Sequence, residues 1–113
     1  MAIQKWSEDT LILEPGDDPQ FSDEMQEAMK YLRNGQTPNV VINFSGVGFL
    51  NSTSVGKLLQ IRKEVHVAKR RIIVCGVNSQ VWGLFMVMGL DKLLETTNDM
   101  ATALASLQIG VKV

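Results

Sequence analysis

Two unbroken runs of apolar, largely β-branched residues, Val40-Val41-Ile42-Asn43-Phe44 and Ile72-Ile73-Val74-Cys75-Gly76-Val77, limit this chain more than anything else in it. A strand with one wet face alternates apolar and polar residues. A run without alternation is covered on both faces, the condition of a central strand in a parallel sheet. Between the runs, Asn51-Ser52-Thr53-Ser54 supplies four residues of helix-capping type. Val55, Leu58, Leu59, Ile61, Val65 and Ala68 follow on the apolar side of a helix, and Lys69 and Arg70 stand where a helix C-terminus favours cations. Strand, helix, strand in this order closes as a right-handed crossover between neighbouring parallel strands.

The flanking segments extend the pattern. Residues 3–14 predict two short strands, IQKW and TLILE, around a Ser7-Glu8-Asp9 turn. Pro15-Gly16-Asp17-Asp18-Pro19 interrupts regular structure. Ser22 predicts the N-cap of a helix with Asp23 and Glu24 in its first turn, Met25, Ala28, Met29 and Leu32 on one face, and Gly35 at its end. After the first apolar run, Gly46 and Gly48 loosen the chain and Phe49-Leu50 is expected to turn back into the core. After the second run, Asn78 or Ser79 predicts a cap for a helix with Val81, Leu84, Phe85 and Met88 inward, stopped by Gly89. Residues 92–96 predict a last strand. Thr97 or Asn98 predicts a cap for a final helix that packs Met100, Ala101, Leu104 and Leu107 inward. The expected fold is α/β: a mixed, largely parallel sheet with about four helices packed against it, as one domain over residues 1–113 with its core at about 10–107.

A chain of 113 residues is long enough to bury a core of its own but too short for two domains. Eleven Lys and Arg against twelve Asp and Glu leave a net charge of −1, which removes the electrostatic footprint of a dedicated nucleic-acid binder. The charges are unevenly distributed. Residues 1–27 hold eight acids against Lys5 alone, and residues 28–71 hold eight bases against Glu64 alone. Such a split is either ordinary solvated surface or a pair of patches complementary to a partner. One cysteine, Cys75, and one histidine, His66, supply neither an internal disulfide nor a structural zinc site, so no metal or cofactor is expected. No apolar run approaches the ~18 residues that span a bilayer. The first residues lack the charged start and apolar stretch of a signal peptide, and a cytoplasmic chain without membrane insertion is expected.

No catalytic constellation emerges. Ser52 and His66 fall on one predicted helix fourteen residues apart, a separation of about 21 Å at the helical rise. The nucleophile elbow of hydrolases needs glycine two residues either side of its serine, where Ser52 has Leu50 and Ser54. A phosphate-binding loop ending at Gly56-Lys57 wants Gly at position 51 and Ser or Thr at 58, which are Asn51 and Leu58. Cys75 lies inside an apolar strand as an expected core residue. The chain reads as a non-enzyme.

What remains is a helix opening on hydroxyls. Its backbone N–H groups and dipole tolerate an added phosphate, which brings roughly −1.5 to −2 charges without splitting the helix. Residues of this type also simply cap helices, and both uses stay open at this level.

Residues 40–52 with Val55-Gly56-Lys57-Leu58-Leu59, and residues 72–77 with Val81, Leu84-Phe85 and Gly89-Leu90, resemble the STAS domain, the family of anti-sigma factor antagonists and of the cytoplasmic tails of sulphate transporters. Its pattern is an apolar strand, then Phe-aliphatic-Asp-Ser-Ser/Thr-Gly-aliphatic-Gly-x-Leu-Leu. The resemblance runs from about Thr10 to Leu107. It implies a partner switch: the antagonist binds an anti-sigma factor that is itself a serine kinase, and phosphorylation of the first Ser after the Asp releases it until a phosphatase restores it. That acceptor is Ser52 here, with Thr53 and Ser54 as rival hydroxyls, and Asn51, Lys57, Trp82 and Met86 join them as expected partner-binding residues. The chain departs from the pattern at Asn51, in place of Asp, and at Ser54, in place of Gly. The family also supplies non-phosphorylated scaffold subunits, as in lipid-transport ATPase complexes, and that reading is carried as the alternative. Trp82, Met86 and Val87 are surplus apolar residues on the third helix, expected either in a partner or homodimer interface or beneath the last helix.

Overall fold

The computed structural model describes residues 3–7, 9–32 and 37–109. In chain order the elements are β1 (Ile3–Ser7), β2 (Thr10–Leu13), α1 (Gln20–Leu32), β3 (Asn39–Asn43), α2 (Ser52–Val67), β4 (Ile72–Cys75), α3 (Ser79–Met88), a 3-10 turn (Leu90–Lys92), β5 (Glu95–Thr97) and α4 (Met100–Ile109). The five strands lie side by side in sequence order. β1 runs antiparallel to β2, with Ile3 opposite Leu13; every later pair is parallel, Val41 standing between Ile12 and Ile73. This is the mixed, largely parallel α/β sheet that the alternation of elements predicts.

Period-two alternation divides the core in two. Leu11, Leu13, Val40, Ile42, Ile72 and Val74 face α1, α2 and α3. Ile12, Val41, Ile73 and Cys75 face the other way, against Ala103 with Met100, Leu104 and Leu107 of α4. The unbroken apolar runs are therefore explained: β3 and β4 are covered on both sides. Phe44 stands at the centre of the larger layer, edge-on to both Phe21 and Phe85 at 5.6 Å between ring centres. Arg71, just before β4, ties the sheet edge together. Its guanidinium grips both carboxylate oxygens of Glu95 (3.0 and 2.7 Å) and reaches Ser106 of α4 at its hydroxyl (3.0 Å) and carbonyl (3.2 Å).

Several boundaries differ from the sequence expectation. α1 begins two residues before Ser22, because the Asp17 carbonyl accepts from the N–H groups of Gln20 and Phe21, and the Asp18 carboxylate accepts from that of Ser22 at 2.8 Å. The expected stop at Gly35 lies outside the described residues. β4 ends at Cys75 because Gly76 takes a φ of +70° and packs so near Asn43 that a Cβ would stand 2.7 Å from its side-chain oxygen. The expected strand at 92–96 starts later: Lys92 ends the 3-10 turn, Leu93 and Leu94 are irregular, and three residues, Glu95–Thr97, pair with β4. Asp99, not Thr97 or Asn98, caps α4, accepting from the Thr102 N–H at 2.8 Å; the later start turns Ala103 inward and Ala101 outward. Asn78 caps α3 and Gly89 ends it at φ +75°, both as expected. Met88 is 48% exposed, however, because the chain reverses at Gly89 and leaves that turn uncovered. Leu50 turns into the core, whereas Phe49 is 49% exposed.

Phe44→Ala should cost about 3–5 kcal/mol, since both ring partners are immobilised by other contacts and the cavity cannot collapse. Urea unfolding should show a lowered midpoint with an unchanged slope.

Candidate functional site

Parallel strands deliver the N-termini of the helices that follow them to one edge of the sheet, and α2 opens there. Phe44, Val47 and Leu50, all buried, pin the loop after β3. The Val47 N–H closes a turn on the Phe44 carbonyl at 2.9 Å. Asp17 holds the same loop from the β2–α1 connection, its carboxylate accepting from the N–H groups of Gly48 (2.6 Å) and Phe49 (3.4 Å). Asn78 adds a bond from its side-chain amide to the Val47 carbonyl at 3.1 Å.

Asn51 is the N-cap of α2, with extended backbone at φ −111° and ψ 179°. Its side-chain oxygen accepts from the Ser54 N–H at 2.8 Å, and the Ser54 hydroxyl accepts from the Asn51 N–H at 3.4 Å, a reciprocal capping box. The Ser54 hydroxyl is also hydrogen-bonded to the Asp18 carboxylate, whose other oxygen takes the Ser22 N–H at 2.8 Å and the Ser22 hydroxyl at 2.7 Å. One carboxylate therefore joins the first turns of α1 and α2. Burial pushes the Asp18 carboxyl up, but hydrogen bonds to Ser54, to Ser22 and to Asn51 together outweigh it and hold the group below its ordinary value.

The three candidate hydroxyls are thereby sorted. Ser54 is 1% exposed and engaged. Ser52 and Thr53 are exposed, and neither hydroxyl makes a hydrogen bond among the described residues. Ser52 is the first residue of α2, where backbone N–H groups lack intrahelical acceptors and the dipole is positive. Lys57 leans toward α1, its ammonium donating to Gln26 at 3.4 Å. Trp82 is half-buried, tilted against Phe85 at 6.1 Å. It lines a separate cleft with Val77, Ser79, Thr96, Thr97 and Asn98. Met86 is not brought to the hydroxyls: α3 runs away from this edge and carries it roughly 10 Å down the helix from Ser79.

The sequence reading missed Asp17, Asp18 and Phe49. The two aspartates act across more than thirty residues of chain on partners that no local pattern reveals. Phe49 is an exposed aromatic three residues before Ser52. Among the described residues, no three His, Cys, Asp or Glu side chains are grouped to hold a metal. Burial, with the Asp99 and Glu14 charges, pushes the Cys75 thiol up to about 11, so it is no thiolate nucleophile near neutral pH.

The sequence and the fold match known proteins. A sequence profile described as the STAS domain matches residues 17–103. The chain belongs to the STAS domain family. An anti-sigma-B factor antagonist of Staphylococcus aureus is 24% identical over 71 residues, 63% of this chain and 66% of the relative, just under two thirds of its length. A Thermotoga maritima protein, described as a candidate anti-sigma factor antagonist, superposes with a TM-score of 0.83 at 14% identity over 95% of this chain and 93% of its own. The phosphorylated form of the Bacillus cell fate determinant SpoIIAA does so at 0.75 and 16%, over 94% and 97%. The STAS fold of these proteins is the fold found here.

Because the folded-state pKa of Asp18 is depressed, its contribution to stability is complete above the ordinary value of 3.8 and is lost as pH falls through the folded value. Asp18→Asn should therefore lower the thermal midpoint most near neutral pH. The gap from the parent should narrow steadily as melts are repeated from pH 6 down to pH 3.

Proposed function

We propose that this STAS domain is an anti-sigma factor antagonist whose binding to an anti-sigma factor serine kinase is switched off by phosphorylation of Ser52. One observation carries the reading: at the start of α2 the chain leaves Ser52 exposed with its hydroxyl unengaged, while Ser54, two residues on, is buried and bonded. A kinase needs a reachable, unencumbered hydroxyl. A switch needs an acceptor whose modification spares the fold. Ser52 meets both conditions, Thr53 is its remaining rival, and Ser54 meets neither.

A phosphate on Ser52 adds a near-dianion at a helix N-terminus, a favourable place within the domain itself. At a tightly packed partner surface the same charge must be desolvated or meets repulsion, and either effect costs several kcal/mol of association. The domain is thus unchanged while the complex is lost. Phe49, exposed beside the acceptor, is an aromatic anchor for the partner, and Asn51, Thr53 and Lys57 frame it. The protein itself performs no chemistry in this scheme; the kinase supplies phosphate and a phosphatase removes it. A cytoplasmic setting fits the scheme, and no helix among the described residues is long and apolar enough to cross a membrane.

Incubation with the kinase and ATP, followed by peptide mass spectrometry, should place phosphate on Ser52, and Ser52→Ala should abolish it. Ser52→Asp should lose kinase binding in calorimetry while its folding free energy stays within about 0.5 kcal/mol of the parent. Absence of phosphate from both Ser52 and Thr53 would remove the proposal, as would a Ser52→Asp variant that still binds.

A further inference from the structure

Among the described residues, eight large apolar side chains are largely exposed, and seven of them gather at one end of the molecule. Phe49 is the exception, beside Ser52. Trp6 lies next to the start of β2. Tyr31 is in the last turn of α1, Val67 ends α2, residues 86–88 form the last turn of α3, and Leu93 follows the 3-10 turn. Topology explains the meeting. The helices between parallel strands return the chain to the edge where those strands begin, so their C-terminal turns share that edge, opposite the start of α2.

The same rim carries Arg62, Lys63, Lys69, Arg70 and Lys92, with His66, against Asp9, Glu64 and Asp91, of which Asp9 pairs with Arg70 at 3.7 Å. Apolar and basic groups are interleaved: Arg62 donates to the Leu93 carbonyl at 2.8 Å, Leu93 lines one shallow groove with His66 and Arg70, and Trp6 lines another with Arg70. The opposite end is acidic, with Glu14, Asp17, Asp18, Asp23 and Asp99 around the helix N-termini.

Lys69 supplies an independent observation. It sits at φ +60°, closing α2 with its own N–H on the His66 carbonyl (2.9 Å) and that of Arg70 on the Val65 carbonyl (3.0 Å). That position of the motif is ordinarily glycine, because a side chain in the left-handed region is strained. A lysine is held there at a cost to the fold, on the rim where a cation has a use.

We propose that this rim docks on an anionic lipid surface, apolar tips entering the interfacial layer and bases meeting headgroups, with the Ser52 end turned to solution. Several element ends terminating at one sheet edge present apolar tips all round it, not the single groove that would select a peptide. A symmetric second copy would set a surplus of bases against the same surplus. Exposed Trp and Tyr with Lys and Arg around aliphatic side chains match the chemistry of a bilayer interface. The acidic opposite end would be repelled by the same surface, which fixes the orientation.

Co-sedimentation with vesicles of equal parts phosphatidylglycerol and phosphatidylcholine should carry the protein down at low salt, and pure phosphatidylcholine vesicles should not. Lys69→Gly should reduce the partition coefficient roughly fivefold, the worth of one base at a charged surface, while its thermal midpoint holds or rises. Val87→Asp should reduce it further, and Ser52→Ala should leave it unchanged. Equal sedimentation with neutral vesicles, none with anionic ones, or undiminished binding by both rim variants would overturn the proposal. Release by polyglutamate at concentrations matching the anionic lipid would also overturn it, in favour of an acidic protein.

Discussion

A single carboxylate organises the sheet edge at which α1 and α2 begin. Asp18 takes two bonds from Ser22 at the start of α1 and the hydroxyl of Ser54 at the start of α2, and Ser54 is locked in turn to Asn51. Helix N-termini hold orphan donors, so two of them brought side by side would face their positive ends toward each other. A carboxylate between them answers both. The first turn of α2 is thereby fixed within the domain itself, and Ser52 projects from a hydrogen-bonded turn.

The same network accounts for the chain's two departures from the STAS pattern. Asn51 stands where the pattern has Asp, and Ser54 where it has Gly. An aspartate at position 51 would bring a second carboxylate to a hydroxyl that Asp18 already engages, and two like charges sharing one site raise the pKa of one of them. Asparagine keeps the acceptor that the capping box needs and omits the charge. A glycine at position 54 would leave Asp18 without its partner from α2. Both residues thus suit the contact with Asp18, and both leave the exposed hydroxyl of Ser52 untouched.

How much of this the sequence displays depends on the range of the interaction. β3, β4, α2 and α3 were legible because their signals are local: unbroken apolar runs, cap-type residues at 51–54 and at 78–79, a stop at Gly89. The start of α1 was not, because Ser22 has the residue type of a cap while the capping carboxylate stands four residues earlier, before a proline. Asp99 escaped for a related reason, since Thr97 and Asn98 are equally good caps by type. The candidate site was visible as four polar residues in a row, but which was inward and which outward was not. That choice is made by Asp18 from thirty-six residues away, and a side chain selected by tertiary contact leaves no periodic trace. Met86 and Val87 stood out as surplus apolar residues, yet only the folded topology separates them from the hydroxyls and puts them at the end of the sheet where Leu93 and the last bases of α2 lie.

The resulting domain has two unlike ends, and the parallel sheet is the cause. Every helix between parallel strands begins at one edge and finishes at the other, so capping chemistry, with its acids and hydroxyls, collects at the first edge. Bases suited to helix C-termini collect at the second. Much of the charge asymmetry along the sequence is therefore an asymmetry in space. Helix-end preferences alone would produce some of this polarity in any such fold, but they do not place seven exposed apolar side chains at the basic end or hold Lys69 in a glycine conformation. Those two features are what the proposed contact of the rim with an anionic surface would account for, and the charge preferences of helix ends would not.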